Sequence, residues 1–331
     1  MSERILGLSV RWRAPFDERF YGRLRPALLG DLVVARAGDR LVAVDRRDGR
    51  RAWAVSVERE GGGGSFVEAI GDVAVTDRRD PSTKRSHLVA VTAGGAAAWD
   101  RELSGNIGRS AVRSGDRELV ALVLDAPHQL VRVEPAGGLD VVGLPHPGTS
   151  VARAGDGWVI GRAGPAAGHP ALFAWRAGAV TAARDAAPQV LGVHVAGDRV
   201  VTLERHDGAL ALVGRTPSLD VAWRVPVASD VHGADGDAVV ALLGDPEAPA
   251  PARLDAATGA IRWRAAPLAG RAARVSLAGD LVAISHDDGA TLLGVDGAVI
   301  GTSEHAVSPH RADGADVLLL VDRALLCLSR A

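Results

Sequence analysis

Apolar and polar positions alternate along this chain in a pattern that restarts about every forty residues, within the range of tandem structural repeats. Each copy opens on Gly-Asp, at Gly30-Asp31, Gly71-Asp72, Gly115-Asp116, Gly155-Asp156, Gly197-Asp198, Gly236-Asp237 and Gly279-Asp280, with a loosened copy at Gly314-Ala315-Asp316. The first full copy runs from Leu28 to Val57. Its β-branched run Leu32-Val33-Val34-Ala35 is followed by a polar turn and a second run, Leu41-Val42-Ala43-Val44. Asp45 to Gly49 then forms a hairpin loop, and Arg50 to Val55 a further strand carrying Trp53. Asp45 is placed to cap the N–H groups of that loop, and Gly49 supplies the positive φ it needs. No helical period competes with this pattern. Short, evenly spaced strands with Gly-rich turns predict an all-β fold. A fixed period predicts stacked units, none of which buries its apolar face alone.

Tryptophan marks one phase of the repeat, at Trp12, Trp53, Trp99, Trp223 and Trp263. The remaining copies carry Val142, Thr181-Ala182 and Ile300 near that phase, and Trp158 and Trp175 fall elsewhere in the fourth. One aromatic per four-stranded unit predicts a β-propeller, with the strand before Gly-Asp lining the axis and the Trp strand outermost. Each such Trp is expected to wedge between neighbouring blades. Burying one removes ~150–250 Å² from water, at most about 4–6 kcal/mol. The eighth copy has strands at Ser308–Arg311, Val317–Val321 and Ala324–Leu328, then stops without an outer strand. The chain begins with an unassigned strand, Ile5 to Arg13, carrying Trp12. Placing it in the last blade completes the sheet and covers an open edge. The expectation is one domain, 1–331, with eight blades. Seven is the alternative, since the eighth copy starts only 35 residues after the seventh.

The phrases Leu41-Val42-Ala43-Val44-Asp45, Gly49, Trp53 and Leu254-Asp255, Thr258-Gly259, Trp263 resemble the repeat of the pyrroloquinoline-quinone-type (PQQ-like) propellers. Ser308-Pro309 matches a Ser-Pro common on the innermost strand of that family. The resemblance covers the whole chain as architecture, and the first and sixth blades as motif. It implies one of two kinds of protein. Large quinoprotein dehydrogenases hold the quinone and a calcium ion over an eight-bladed ring. Smaller members bind no cofactor and act as scaffolds, the outer-membrane β-barrel assembly lipoprotein B among them. In size this chain is similar to the second kind. Its single cysteine cannot form the vicinal cysteine pair of the dehydrogenase site, which makes a quinone-dependent dehydrogenase the weakest of the readings.

Composition narrows the function further. A net charge of −2 argues against a nucleic-acid partner or an anionic membrane surface. No run approaches the ~18 apolar residues of a spanning helix, so no membrane insertion is expected. Met1 to Leu8 lacks the apolar core of a signal peptide. The lone Cys327, within Leu325-Leu326-Cys327-Leu328, has no intramolecular partner and reads as a small buried hydrophobe. Together these features predict a cytoplasmic protein.

Catalytic signatures are missing: there is no Gly-x-Ser-x-Gly, phosphate loop or His-Glu-x-x-His. Gly61-Gly62-Gly63-Gly64-Ser65 reads as a flexible link. Asp287-Asp288-Gly289 and His206-Asp207-Gly208 read as hairpin turns, because the other spaced oxygens of a calcium loop are missing. Aligning the strands before Gly-Asp gives the column Ala27, Glu68, Val112, Ala152, His194, His232, Ser276, His310. Glu68, His194, His232 and His310 are therefore candidates to line an axial channel. Imidazole and carboxylate are good metal ligands, but strands around a ring hold them apart. A polar lining is expected, with no metal and no cofactor.

Three longer loops, Thr76 to His87, Gly161 to Pro170 and Gly244 to Pro251, fall between the second and third strands of blades two, four and six, hence on one face. Arg78, Arg79, Lys84 and Arg85 make a basic patch on the first and are the candidate partner-binding residues. No interleaved aromatics support nucleic-acid stacking. The expected function is a non-catalytic, monomeric propeller within a complex, binding another protein through that face. The alternative is a small-ligand sensor or enzyme with its site at the mouth of the channel.

Overall fold

In the computed structural model, each sequence repeat becomes an antiparallel sheet whose strands are neighbours in chain order. The structure describes residues 4–5, 8–16, 26–57, 66–80, 82–83, 85–114, 118–125, 127–154, 156–162, 168–184, 189–230, 232–268, 272–279, 281–286, 289–303, 307–311, 316–321 and 323–329. Blade one is Ala27–Leu29, Leu32–Ala37, Arg40–Asp45 and Arg51–Ser56. Blade two is Val67–Ile70, Val73–Arg79, Ser86–Thr92 and Ala97–Glu102, and blade three Ile107–Ser114, Glu118–Val123, Gln129–Val133 and Leu139–Gly143. Blade four is Ser150–Ala154, Gly157–Gly161, Leu172–Arg176 and Ala179–Arg184, and blade five Gln189–Ala196, Arg199–His206, Ala209–Arg215 and Val221–Val227. Blade six is His232–Asp235, Ala238–Asp245, Ala248–Asp255 and Ile261–Arg264, and blade seven Ala272–Ala278, Leu281–His286, Gly289–Leu293 and Val299–Ser303. Blade eight contains Val307–Arg311, Asp316–Val321 and Ala324–Ser329, together with Leu8–Pro15.

The chain is an all-β, eight-bladed β-propeller, which sets aside the seven-bladed alternative. None of the described residues forms a helix, so none supplies a helix long and apolar enough to cross a membrane. Contacts divide the chain into two compact units, Met1–Pro145 with Ala312–Ala331, and His146–Arg311. The N-terminal strand completes the last blade. Leu8–Pro15 runs antiparallel to Ala324–Ser329, with Trp12 opposite Cys327 and Arg13 opposite Leu326. A further short strand, Arg4–Ile5, pairs back onto it, so this sheet has one strand more than the repeat predicts. Cys327 is fully buried, and burial raises its thiol pKa to about 11, in keeping with a packing role.

Two loop expectations need correction. Gly244 to Pro251 is not an open loop: Gly244 pairs with Pro249 and Asp245 with Ala248 across a tight turn. Asp245 closes that turn by accepting the Glu247 N–H at 2.9 Å, an Asx cap that removes the need for a longer connection. In blade two the strands extend to Arg79 and resume at Ser86, leaving only 80–85 as loop. Gly61 to Ser65, Asp287-Asp288 and Lys84 lie outside the described residues.

One joint recurs between blades within each unit. The Trp indole of one blade donates to a carbonyl in the turn before the fourth strand of the next. Trp12 reaches Arg46 at 2.7 Å, Trp53 reaches Ala93 at 2.8 Å, Trp99 reaches Pro135 at 2.7 Å and Trp223 reaches Ala256 at 2.8 Å. The ring lies against a glycine of that turn. At Gly95, φ is +83°, and a Cβ would stand 2.8 Å from Trp53 Cγ, so side chains are excluded by both backbone and space. Gly49, Gly137, Gly259 and Gly297 are crowded in the same way by Trp12, Trp99, Trp223 and Trp263. Blade four breaks the pattern. Ala182 stands opposite Ala174, next to a bulge, the place that Trp takes in blades one, two, five, six and eight. The following turn then carries Leu219 at φ +67°, fully buried in the cluster that Ala182 joins. A leucine side chain occupies the space that an indole fills elsewhere.

The aspartates of the repeat motif order their own turns. Asp45 accepts the Arg47 N–H at 2.7 Å. Asp255 accepts the Thr258 N–H and hydroxyl, each at 2.9 Å, and an Arg262 contact at 2.7 Å. The Arg262 bond, then the Thr258 bonds, hold the Asp255 carboxyl at a pKa of about 2.

Candidate functional site

The loop of blade two is built around Asp80. Its Oδ1 accepts the Ser82 hydroxyl, the Ser82 N–H at 2.8 Å and the Thr83 N–H at 3.2 Å. Its own N–H donates to the Arg85 carbonyl at 2.9 Å, closing the loop. The Ser82 hydroxyl, followed by the two backbone bonds, holds the Asp80 carboxyl at a pKa of about 2. Arg79 and Arg85 flank this turn and are exposed. Arg85 is ion-paired with Glu102 on the fourth strand.

Arg78 is placed differently from the loop position expected of it. It lies in the second strand, directly opposite His87, and is buried. Its guanidinium pairs with Asp100, whose other oxygen lies 2.8 Å from His87 Nδ1. Burial pushes the Asp100 carboxyl up, but bonds from Arg78 and His87 outweigh it and leave it below the usual range. Strand alternation explains the split, because Arg78 and Arg79 point to opposite faces of the sheet. Asp100 and Glu102, whose carboxylates neutralise part of the patch, and His87, which bonds Asp100, were missed from the sequence. Cross-strand register was the signal that would have found them.

The axial-column candidates divide between the two units. Glu68 is half-buried in the first strand of blade two. His310 lies in the strand Val307–Arg311. His194 and His232, on the first strands of blades five and six, are brought together: their rings stand edge to face with centroids 4.8 Å apart. Gly192 leaves room beside them, since a Cβ there would lie 3.7 Å from His194 Nε2 and 3.8 Å from His232 Cε1. His232 Nδ1 lies 3.1 Å from the Asp230 carbonyl, to which it donates, so Nε2 carries the lone pair. That Nε2 is shut away from solvent and has no hydrogen-bond partner among the described residues.

Burial pushes the His232 pKa below the usual imidazole value, with the Asp230 carbonyl opposing in part. A base with a depressed folded-state pKa binds fewer protons folded than unfolded, so its contribution falls as pH drops through the unfolded value near ~6.5. His232→Gln is therefore expected to flatten the loss of melting temperature between pH 7 and pH 5. An unchanged profile would show that His232 is not the titrating group.

The blade count, the Trp joints and the Asp-Thr-Gly turn are similar to those of the PQQ-like repeat β-propellers. The chain is similar to the outer membrane protein assembly factor BamB, whose family sequence model matches residues 9–138. No curated protein matches the chain by sequence. Among solved structures, BamB from Moraxella catarrhalis is 18% identical, with 98% of this chain and 100% of that chain covered and a TM-score of 0.62. Sqt1 from Saccharomyces cerevisiae is 11% identical, with 98% and 99% covered and a TM-score of 0.66. A quinohemoprotein alcohol dehydrogenase from Pseudomonas putida HK5 is 11% identical, with 98% of this chain and 76% of that chain covered and a TM-score of 0.64. At these identities the likenesses define the fold, and function rests on the site.

Proposed function

We propose that this protein is a non-catalytic scaffold, a monomeric propeller within a complex, that binds another protein through the loop of blade two. The observation that carries this reading is the preordered turn around Asp80, which sets Arg79 and Arg85 in solvent on a rigid sheet. A loop fixed before binding loses little conformational entropy when a partner docks. Arg85 is already paired with Glu102, so a partner carboxylate there competes with a surface ion pair of small net value. The name of the related assembly factor supports a role in protein assemblies.

The test is affinity capture from the native host with wild type and Arg79→Glu/Arg85→Glu. Arg78 is left intact because it is buried in its own ion pair. The variant is expected to keep its melting temperature and lose its captured partner by at least tenfold. Equal recovery would refute this surface.

A second reading is favoured by the enclosed His232 Nε2. A small molecule carrying a hydrogen-bond donor would satisfy that lone pair beside His194. Such a ligand would raise the melting temperature of wild type and leave His232→Gln unmoved.

A further inference from the structure

His146 and His169 meet from two separate segments of the chain around blade four. His146 lies in the link before its first strand, and His169 in the connection between its second and third strands. Their Nδ1 atoms are 3.2 Å apart. The rings stand edge to face with centroids at 5.4 Å.

We propose that His146 and His169 form a binding site for one late first-row divalent metal ion, of the class Cu2+, Zn2+ or Ni2+, with water completing its coordination. Imidazole nitrogens bind such ions at ~2.0–2.1 Å, and two of them at ordinary coordination angles stand about 3 Å from each other. The spacing in the free protein already matches that bite. Without metal, the two atoms share one proton, one Nδ1 donating and the other accepting; the ion takes the place of that proton.

The support around the pair is rigid. Fully buried Phe173 meets the His146 ring edge on at 5.4 Å. Pro145, Pro147 and Pro170 flank the two histidines and restrict their backbones. Arg162 donates to the His169 carbonyl at 3.3 Å and fixes that side of the site. Both histidines are half-buried, so water reaches the remaining positions. Among the described residues no cluster of three or more His, Cys, Asp or Glu is arranged for a metal, and residues 163–167 are Ala, Gly and Pro. The site is thus an open, two-imidazole one that prefers Cu2+ by the usual order of affinities. Because it ties the link before blade four to an internal connection of the same blade, occupancy stabilises the folded chain.

The full-length protein is titrated with Cu2+ by calorimetry, and the bound ion is examined by electron paramagnetic resonance. One equivalent with two nitrogen ligands is expected. His146→Ala and His169→Gln should each weaken binding at least tenfold, and the double variant no further, since either one breaks the chelate. His206→Ala, which alters an exposed hairpin histidine, should bind as wild type does. Melting curves without metal identify folded variants; His169→Gln keeps a polar side chain and serves if His146→Ala does not fold. No stoichiometric binding, or wild-type affinity in a folded His146 or His169 variant, would overturn the proposal.

Discussion

Deletion of residues 1–16 is expected to abolish the sharp, cooperative melt of the protein. The deletion removes the strand Leu8–Pro15 and exposes one whole edge of Ala324–Ser329. Leu325, Leu326, Cys327 and Leu328 on that strand are almost fully buried, and Trp12 and Phe16 share a core cluster with Leu325, Cys327 and the second strand of blade one. The indole bond from Trp12 to Arg46 is lost as well. Removing a buried aromatic alone costs about 3–5 kcal/mol. Two aromatics, a strand ladder and an unpaired edge together approach the whole stability of a typical domain, ~5–15 kcal/mol. Differential scanning calorimetry checks the expectation: a broad or absent transition is predicted, and a sharp one at the wild-type temperature would refute the role of this strand.

The second large effect concerns the joint between blades. Where a blade supplies Trp, the next turn must supply glycine, since a Cβ at Gly95 would overlap Trp53. Where blade four supplies Ala182, the next turn supplies Leu219 in the backbone conformation that glycine adopts elsewhere. The two solutions fill one space from opposite sides. Leu219→Gly alone relieves an unfavourable φ, worth ~1–2 kcal/mol, but empties a fully buried site, where losing a leucine side chain costs about 2–5 kcal/mol. Ala182→Trp alone drives an indole into the leucine, an overpacking penalty of ~1–3 kcal/mol or more.

Much of this architecture was legible before any coordinates. Period and strand order followed from Gly-Asp spacing, the use of the N-terminal strand from the missing outer strand of the eighth copy and the phase of Trp12, and the Asp45 and Asp255 turns from their local motif. What escaped notice depended on register. Arg78 and Arg79 look alike in sequence, yet the pleat sends one toward Asp100 and leaves the other exposed. The stretch Gly244 to Pro251 reads as loop because of its prolines, but pairing across a two-residue turn holds it in strand. His194 and His232 are 38 residues apart, and only the adjacency of first strands in successive blades brings their rings together. Leu219 is invisible as a joint residue because its role appears only beside the Trp that blade four lacks.

This separation of scaffold from surface bears on function. Five of the seven tryptophans, Trp12, Trp53, Trp99, Trp223 and Trp263, are engaged in the joints between blades, whereas the ordered turn at Asp80 leaves Arg79 exposed.

The claim that one interchangeable joint builds these blades is tested most directly by a double-mutant cycle on Ala182→Trp and Leu219→Gly, read by urea denaturation. Each single change is predicted to lower stability by about 1–3 kcal/mol, and the pair to recover about half of the summed loss, a favourable coupling of about 2 kcal/mol. Losses that simply add would contradict the account.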